Sequence, residues 1–274
     1  MSDTLNDNYM DVLRTIVLVG GKVLTSMQGK VTNQPKRSDL PPEKVQSSST
    51  AHSEVDDLVQ ELALEILRSH LPTIQTNVEE DTPRTSMFGQ NKSKYTFHLD
   101  PLDGTLAYLQ GSDSYCIGAG LSKGVDFFAS AIYLPARDEL YMAERGKGTT
   151  MMNSLGVEQT FERRTNPAKK FVQKRCDNYL PVLEKIGLVP FQSMSAHYSM
   201  LAVAKGEVQV QLYHMASPHD FGIPQTLVEE AGGVCTNEQG QPVVFNKDFS
   251  RQPFFFAFHS EEVKDRFFDA LRNT

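Results

Sequence analysis

The chain has 274 residues, 39% of them hydrophobic and 22% charged, a balance that excludes a disordered protein and allows one large domain or two compact lobes. Its net charge of -7 excludes the basic footprint that binding a nucleic-acid polymer requires. The cysteines, Cys116, Cys176 and Cys235, lie far apart without a C-x-x-C pair, so neither a disulfide framework nor a zinc site is indicated.

In chain order, the N-terminal "MSDTLNDNYMD" is acidic and lacks the basic-then-apolar layout of a signal peptide. No apolar run approaches the ~20 residues that span a bilayer, so a cytoplasmic protein without a membrane partner is expected. Val12, Leu13, Ile16, Val17, Val23 and Leu24 repeat at helical spacing between Asn8 and Met27, with Gly20 and Gly21 as a weak point. Residues 29–52, rich in Pro, Ser and charge, bury little and predict a mobile loop. Val55, Leu58, Val59, Leu62, Ile66 and Leu67 predict a second helix from Glu54 to His70, with Ser53 as N-cap and Pro72 ending it.

Strands follow. "YTFHL", "SYCIGAGL", "FFASAIYLP" and "ELYMAERGKG" predict a meander. Beyond a mixed segment to Pro190 come a helix from Ser195 to Lys205, a strand "VQVQLY", a helix from Asp220 to Ala231, strands "PVVF" and "FFFAF", and a terminal helix. The expected architecture is α+β or α/β in two lobes. Residues 1–150 form an N-terminal α+β lobe with the acidic motifs, and residues 151–274 a C-terminal α/β lobe that completes the site.

The first strand of the meander runs into "LDPLDGT", with Asp100 and Asp103 three residues apart around Pro101 and Leu102. Pro101 has no N–H and ends the ladder, so the strand is expected to deliver Asp100 at its C-terminal end. Leu102 can then turn its carbonyl outward, Gly104 allows a tight turn, and Thr105 can cap a following helix. Two carboxylates and a carbonyl are hard oxygen donors of the kind Mg²⁺ takes, and free N–H groups at a helix start suit a phosphate. "NVEED" adds Glu79, Glu80 and Asp81 upstream, and "SPHDFGIPQTLVEEAGG" places Asp220 before an amphipathic helix. Taken singly, an acidic loop is a solvated turn and an Asp before a helix an N-cap.

Together the three stretches resemble the signature of the inositol monophosphatase family, the Mg²⁺-dependent, lithium-sensitive phosphatases related to fructose-1,6-bisphosphatase and the 3'(2'),5'-bisphosphate nucleotidases. The resemblance runs from the first helix to the C-terminus. Here the family's G-E-E-S/T appears as "VEED", D-P-I/L-D-G-T is intact, and W-D-x-A-A followed by E-A-G-G appears as "HDFGI" then "EEAGG". It implies a layered αβαβα sandwich, a homodimer, and a small phosphomonoester (inositol, sugar, polyol or nucleotide phosphate) as substrate.

The resemblance also implies roles. Glu79, Asp100 and the Leu102 carbonyl would hold one Mg²⁺, and Asp100, Asp103 and Asp220 a second, with Glu79 helping a weaker third. Glu79 and Thr105 would be catalytic, orienting the attacking water. Asp103, Gly104, Thr105, Ser195 and Ala196 would contact substrate, with Tyr213, His214 and His219 at the rim.

Departures bear on specificity. His219 replaces the usual Trp, Val78 and Met194 stand where the family has Gly, and Tyr213 or His214 stands where it has a substrate-binding Glu. His52 or Ser53 stands where an Asp is usual. A shifted substrate preference follows, and the rival is a family member impaired in catalysis that binds phosphate ligands or acts as a scaffold. "GAGLSKG" and "VLVGGK" match neither a dinucleotide fingerprint nor a P-loop. The basic stretch from Glu162 to Arg175 reads as a solvated face, with a second-phosphate wall as the minority alternative.

Overall fold

Helix α1 (Tyr9–Met27) runs unbroken through Gly20 and Gly21, because those positions serve close packing. A Cβ on Gly20 would stand 2.4 Å from Ile117, and one on Gly21 2.4 Å from the Tyr133 ring. The expected weak point is therefore where the helix lies directly on a sheet. The structure, a computed structural model, describes residue 5 and residues 7–34, 51–89 and 92–274. Residues 35–50 of the expected polar loop lie outside the described residues. Helix α2 (Glu54–His70) starts from Ser53 as expected.

The first sheet orders β1 (Gln75–Val78), β2 (Tyr95–Asp103), β3 (Cys116–Lys123), β4 (Asp126–Leu134), β5 (Glu139–Glu144), β6 (Gly148–Met152) and β7 (Glu158–Gln159) side by side. All pairs are antiparallel except β1 with β2, which is parallel. The second sheet has the order β11-β12-β10-β8-β9, from β8 (Lys170–Lys174), β9 (Val189–Pro190), β10 (Val210–Ala216), β11 (Val234–Thr236) and β12 (Gln252–Phe258). Short helix α3 (Thr105–Leu109) follows β2, and α4 (Leu180–Lys185), α5 (Ala196–Lys205), α6 (Ile223–Glu230) and α7 (Glu261–Arg272) complete the fold.

The buried apolar residues make three cores. Val12, Ile16, Val59 and Leu64 of α1 and α2 close one face of the first sheet over Phe97 and Leu99. Met200, Leu201, Leu227 and Val228 of α5 and α6 fill the space between the sheets, against Ile132, Tyr141 and Phe255. Val182, Leu183, Val263 and Phe267 of α4 and α7 close the outer face of the second sheet over Leu212, Phe256 and Phe258. The layers read αβαβα, as expected. Burial of this apolar area at about 25 cal/mol per Å² is what holds the layers together.

Two expected elements differ. "PVVF" forms no strand; Pro242 makes only an isolated bridge to Thr236. The chain from Pro218 to Gly222 is a π-helical turn, and the α-helix begins only at Ile223. All three cysteines are buried and free, and no helix among the described residues is long and apolar enough to cross a membrane.

Candidate metal centre and cleft

β2 explains the spacing of its two aspartates. The strand does not end at Pro101 as expected: Asp100 pairs with Gly118 and Asp103 with Cys116, so β2 continues past the proline through a bulge in which Pro101 and Leu102 together oppose the single residue Ile117. On a regular strand, residues three apart face opposite sides; the extra residue of this bulge re-aims one of them. Both carboxylates thereby line one cleft of about 310 Å³. Gly104, at φ 87°, is the N-cap of α3, a conformation that suits glycine. Thr105 is therefore the first residue of α3 and not its cap.

Parallel pairing supplies the next carboxylate. Val78 lies beside Leu99, so Glu79, the following residue, arrives beside Asp100 at the same end of the sheet. Gln60 of α2 holds this turn: its Oε1 accepts from the Glu80 N–H (2.9 Å) and its Nε2 donates to the Glu80 carbonyl (2.6 Å). Glu80 itself turns toward His52 (3.8 Å), and Asp81 is exposed. From the second half, the π-turn delivers Asp220. Single oxygens of Asp100, Asp103 and Asp220 lie within 4.8 Å of one another.

The two motif aspartates are neutralised differently. Asp103 sits over the N-terminus of α5, where it accepts from Ala196 N–H (2.9 Å), His197 N–H (2.6 Å), the Ser195 hydroxyl and the Cys116 thiol (3.5 Å). Asp100, 1% exposed, accepts from Leu102 N–H at 3.1 Å and otherwise faces Glu79, Asp103 and Asp220. Burial first, then those three carboxylates, pushes Asp100 well above the usual range. Burial likewise raises Asp220, with Glu79 and Asp103 adding to it against His219. Among the described residues no lysine or arginine pairs with Asp100 or Asp103. Hard oxygens crowded in a half-open cleft fit a divalent cation such as Mg²⁺.

Thr105 has a partner that sequence reasoning missed. Its hydroxyl lies 3.1 Å from Asp56 Oδ1 and 3.0 Å from the Leu102 carbonyl. Asp56, 1% exposed, is the third residue of α2, and its Oδ2 accepts from the Ser53 N–H (2.9 Å) and hydroxyl (2.7 Å). The Ser-x-x-Asp spacing of a capping box was the available signal. A buried carboxylate thus stands beside Thr105 three residues after Ser53, although neither His52 nor Ser53 carries one. Burial, with Glu79 and Glu80 nearby, pushes Asp56 up to about 7, against the Ser53 hydrogen bond and His52.

Of the other expected site residues, Glu79, Leu102, Gly104, Thr105, Ser195, Ala196, Tyr213, His219 and Asp220 all line the cleft. His214 does not. Next to Tyr213 on β10, it faces the opposite side and packs on Phe254, ring centroids 4.9 Å apart, because strand neighbours alternate. Lys174 and Arg175, from the stretch expected to be a solvated face, line the cleft together with Arg251.

The sequence profile of the inositol monophosphatase family matches residues 6–253. A fructose-1,6-bisphosphatase/inositol-1-monophosphatase of Aquifex aeolicus is 26% identical over 240 residues, covering 83% of this chain and 85% of its own. A putative Nus factor SuhB of Neisseria meningitidis serogroup B is 28% identical over 207 residues, covering 69% and 74%. Among solved structures, the IMPase of Thermotoga maritima superposes with a TM-score of 0.76 at 19% identity, covering 97% of this chain and 99% of that one.

Proposed function

Because the chain belongs to the inositol monophosphatase family, we infer that it is a phosphoric monoester hydrolase, and we propose that it works with two Mg²⁺ ions on small phosphorylated metabolites. The observation that carries the reading is the convergence of Glu79, Asp100, Asp103 and Asp220, from three chain segments, on one cleft.

Glu79, Asp100 and the Leu102 carbonyl would hold one ion, and Asp100, Asp103 and Asp220 the other, with Glu79 assisting a third. Bound there, the ions supply positive charge to the attacking and leaving oxygens of an in-line phosphoryl displacement. Thr105, fixed between Asp56 and the Leu102 carbonyl, orients the attacking water together with Glu79 and offers it an acceptor lone pair. Asp56 keeps that hydroxyl aimed. Gly104 and Thr105, at the start of α3, line the same cleft, where their N–H groups would take phosphate oxygens.

Both oxygens of Asp103 hold the start of α5, Oδ1 accepting from the Ala196 N–H and Oδ2 from the Ser195 hydroxyl and the His197 N–H, so Ser195 and Ala196 position it as well as lining the pocket. Tyr213 and His219 present aromatic and imidazole surface at the rim, which suits a sugar ring or a base. The SuhB relatives favour a second reading, a protein acting through binding. The buried, mutually repelling carboxylates favour hydrolysis, since they destabilise a fold that has no use for a cation.

Phosphate release from a panel of inositol, sugar, polyol and nucleotide monophosphates tests the proposal. With Mg²⁺, at least one is turned over, inositol 1-phosphate is not the best by a wide margin, and millimolar Li⁺ inhibits. No release from any member of the panel would leave the binding reading.

A further inference from the structure

Facing the carboxylates across the cleft is a wall of opposite charge, built from the second sheet. Lys174 ends β8, in parallel register with Tyr213 of β10, and its ammonium lies 5.5 Å over the Tyr213 ring. Arg251 immediately precedes β12, which pairs with the other side of β10, Ala216 opposite Gln252. Because β12 runs antiparallel to β10 and β8, its start meets their C-terminal ends. Two cations thus flank one tyrosine at a single edge of the sheet.

Arg175 joins them by an irregular backbone. Consecutive residues on a strand face opposite sides, yet Lys174 and Arg175 both line the cleft. The chain leaves the strand at Arg175 with φ 58°, a left-handed conformation uncommon for arginine. Gln173 clamps the turn, its Oε1 accepting from Cys176 N–H (2.9 Å) and its Nε2 donating to Asp177 (2.8 Å). Strain held in place at a cleft wall points to use rather than to folding.

The electrostatics agree. Lys174 is lowered by burial first and feels Arg175 and Arg251 as repulsive neighbours, with Asp220 and Asp103 across the cleft opposing. Among the described residues neither Arg175 nor Arg251 makes an ion pair. Three cations held together in this way destabilise the empty cleft and suit an anion that enters it. The phosphate being hydrolysed goes to the acidic, cation-binding end, so this wall is available for a different group. A cleft of about 310 Å³ is large enough for a small phosphorylated metabolite reaching both walls.

We propose that Lys174, Arg175 and Arg251 form a subsite for a second anionic group of the substrate, a phosphate or a carboxylate, so that the preferred substrates are phosphomonoesters carrying a further negative charge. This rests on the hydrolase reading above. Arginine suits the role because its planar fork pairs two-to-two with either anion.

Matched substrate pairs test it. 2-Phosphoglycerate differs from glycerol 2-phosphate by a carboxylate, and fructose 1,6-bisphosphate from fructose 1-phosphate by a phosphate. The wild-type protein with Mg²⁺ should favour the more anionic member of at least one pair by about tenfold or more in kcat/KM, the size of one added charge-assisted contact. The pair that responds identifies the anion. In Arg251→Gln, an exposed position that leaves the fold intact, and in Lys174→Met, that ratio should fall toward one. Ratios near one in both wild-type pairs, or ratios unmoved in both variants, overturn the subsite while leaving the hydrolase reading standing. If no compound is hydrolysed, the hydrolase reading fails instead, and calorimetric titration of the same pairs into the Mg²⁺-loaded protein decides the subsite by the same ratio.

Discussion

Asp100 and Asp103, both buried in the cleft, lie three residues apart, and the protein treats the two carboxylates in opposite ways. Asp103 has donors from the α5 N-terminus and neighbouring side chains, a favourable place for a negative charge. Asp100 has one backbone donor and is otherwise surrounded by carboxylates. The difference teaches that one motif divides two tasks. Asp103 joins the two halves of the chain by capping a helix of the middle layer, whereas Asp100 is left among repelling carboxylates, the place that the proposed cation would neutralise.

The largest expected effect tests both at once. Exhaustive dialysis against EDTA should abolish turnover, by about a thousandfold or more given the share of barrier lowering that metal ions supply, and Mg²⁺ should restore it. Full activity without divalent cation would remove the proposed reason for crowding carboxylates around Asp100.

Asn substitutions then separate the two residues. Asp100→Asn and Asp103→Asn should each lose about a thousandfold in kcat. Their melting temperatures without metal should move apart. Asp100→Asn relieves repulsion and should rise, while Asp103→Asn weakens the hydrogen bonds at the start of α5 and should fall by about 1–3 kcal/mol of stability. Shifts of the same sign in thermal melts would show that the two sites are equivalent after all.

Thr105→Val keeps the shape of the first residue of α3 but removes the hydroxyl shared by Asp56 and Leu102. A loss of about 10²-fold in kcat is expected, with Mg²⁺ affinity by calorimetry little changed, as suits a residue that orients water. Equal loss of metal affinity would instead place Thr105 among the ligands.

The pH dependence of stability follows from the unsatisfied side of the comparison. Asp56, Asp100 and Asp220 are all raised in the fold, so the folded chain keeps protons that the unfolded chain releases above pH about 4. Their contribution is fully present below that pH and is lost as pH rises through the folded values, about 7 for Asp56. The metal-free protein should therefore melt several degrees lower at pH 8 than at pH 5, and Mg²⁺ should raise the melting temperature more at pH 8. A metal-free melting temperature that climbs between those values would contradict the assignment. The smallest effect is expected at His214, whose ring packs on Phe254 away from the cleft: His214→Ala should leave kcat/KM within about twofold.

Sequence alone determined the elements whose cause is local. The 3–4 spacing of Val55, Val59 and Leu62 makes a helix whatever it packs on, and "DPLDGT" carries its own turn residue in Gly104. The family resemblance rests on such local strings, and the layered fold came with it. Tertiary structure decided what depends on register. Only the pairing of β2 with β3 shows that one extra residue brings Asp100 and Asp103 to the same side, and only parallel pairing with β1 places Glu79 beside them. The Asp56–Thr105 contact joins residues 49 positions apart, and the wall of Lys174, Arg175 and Arg251 depends on which strands flank β10. Residue types fix what chemistry a side chain can do, through its charge and donors. Which side chains do it together is set by sheet register and helix placement, which are fixed by the packing of the whole chain.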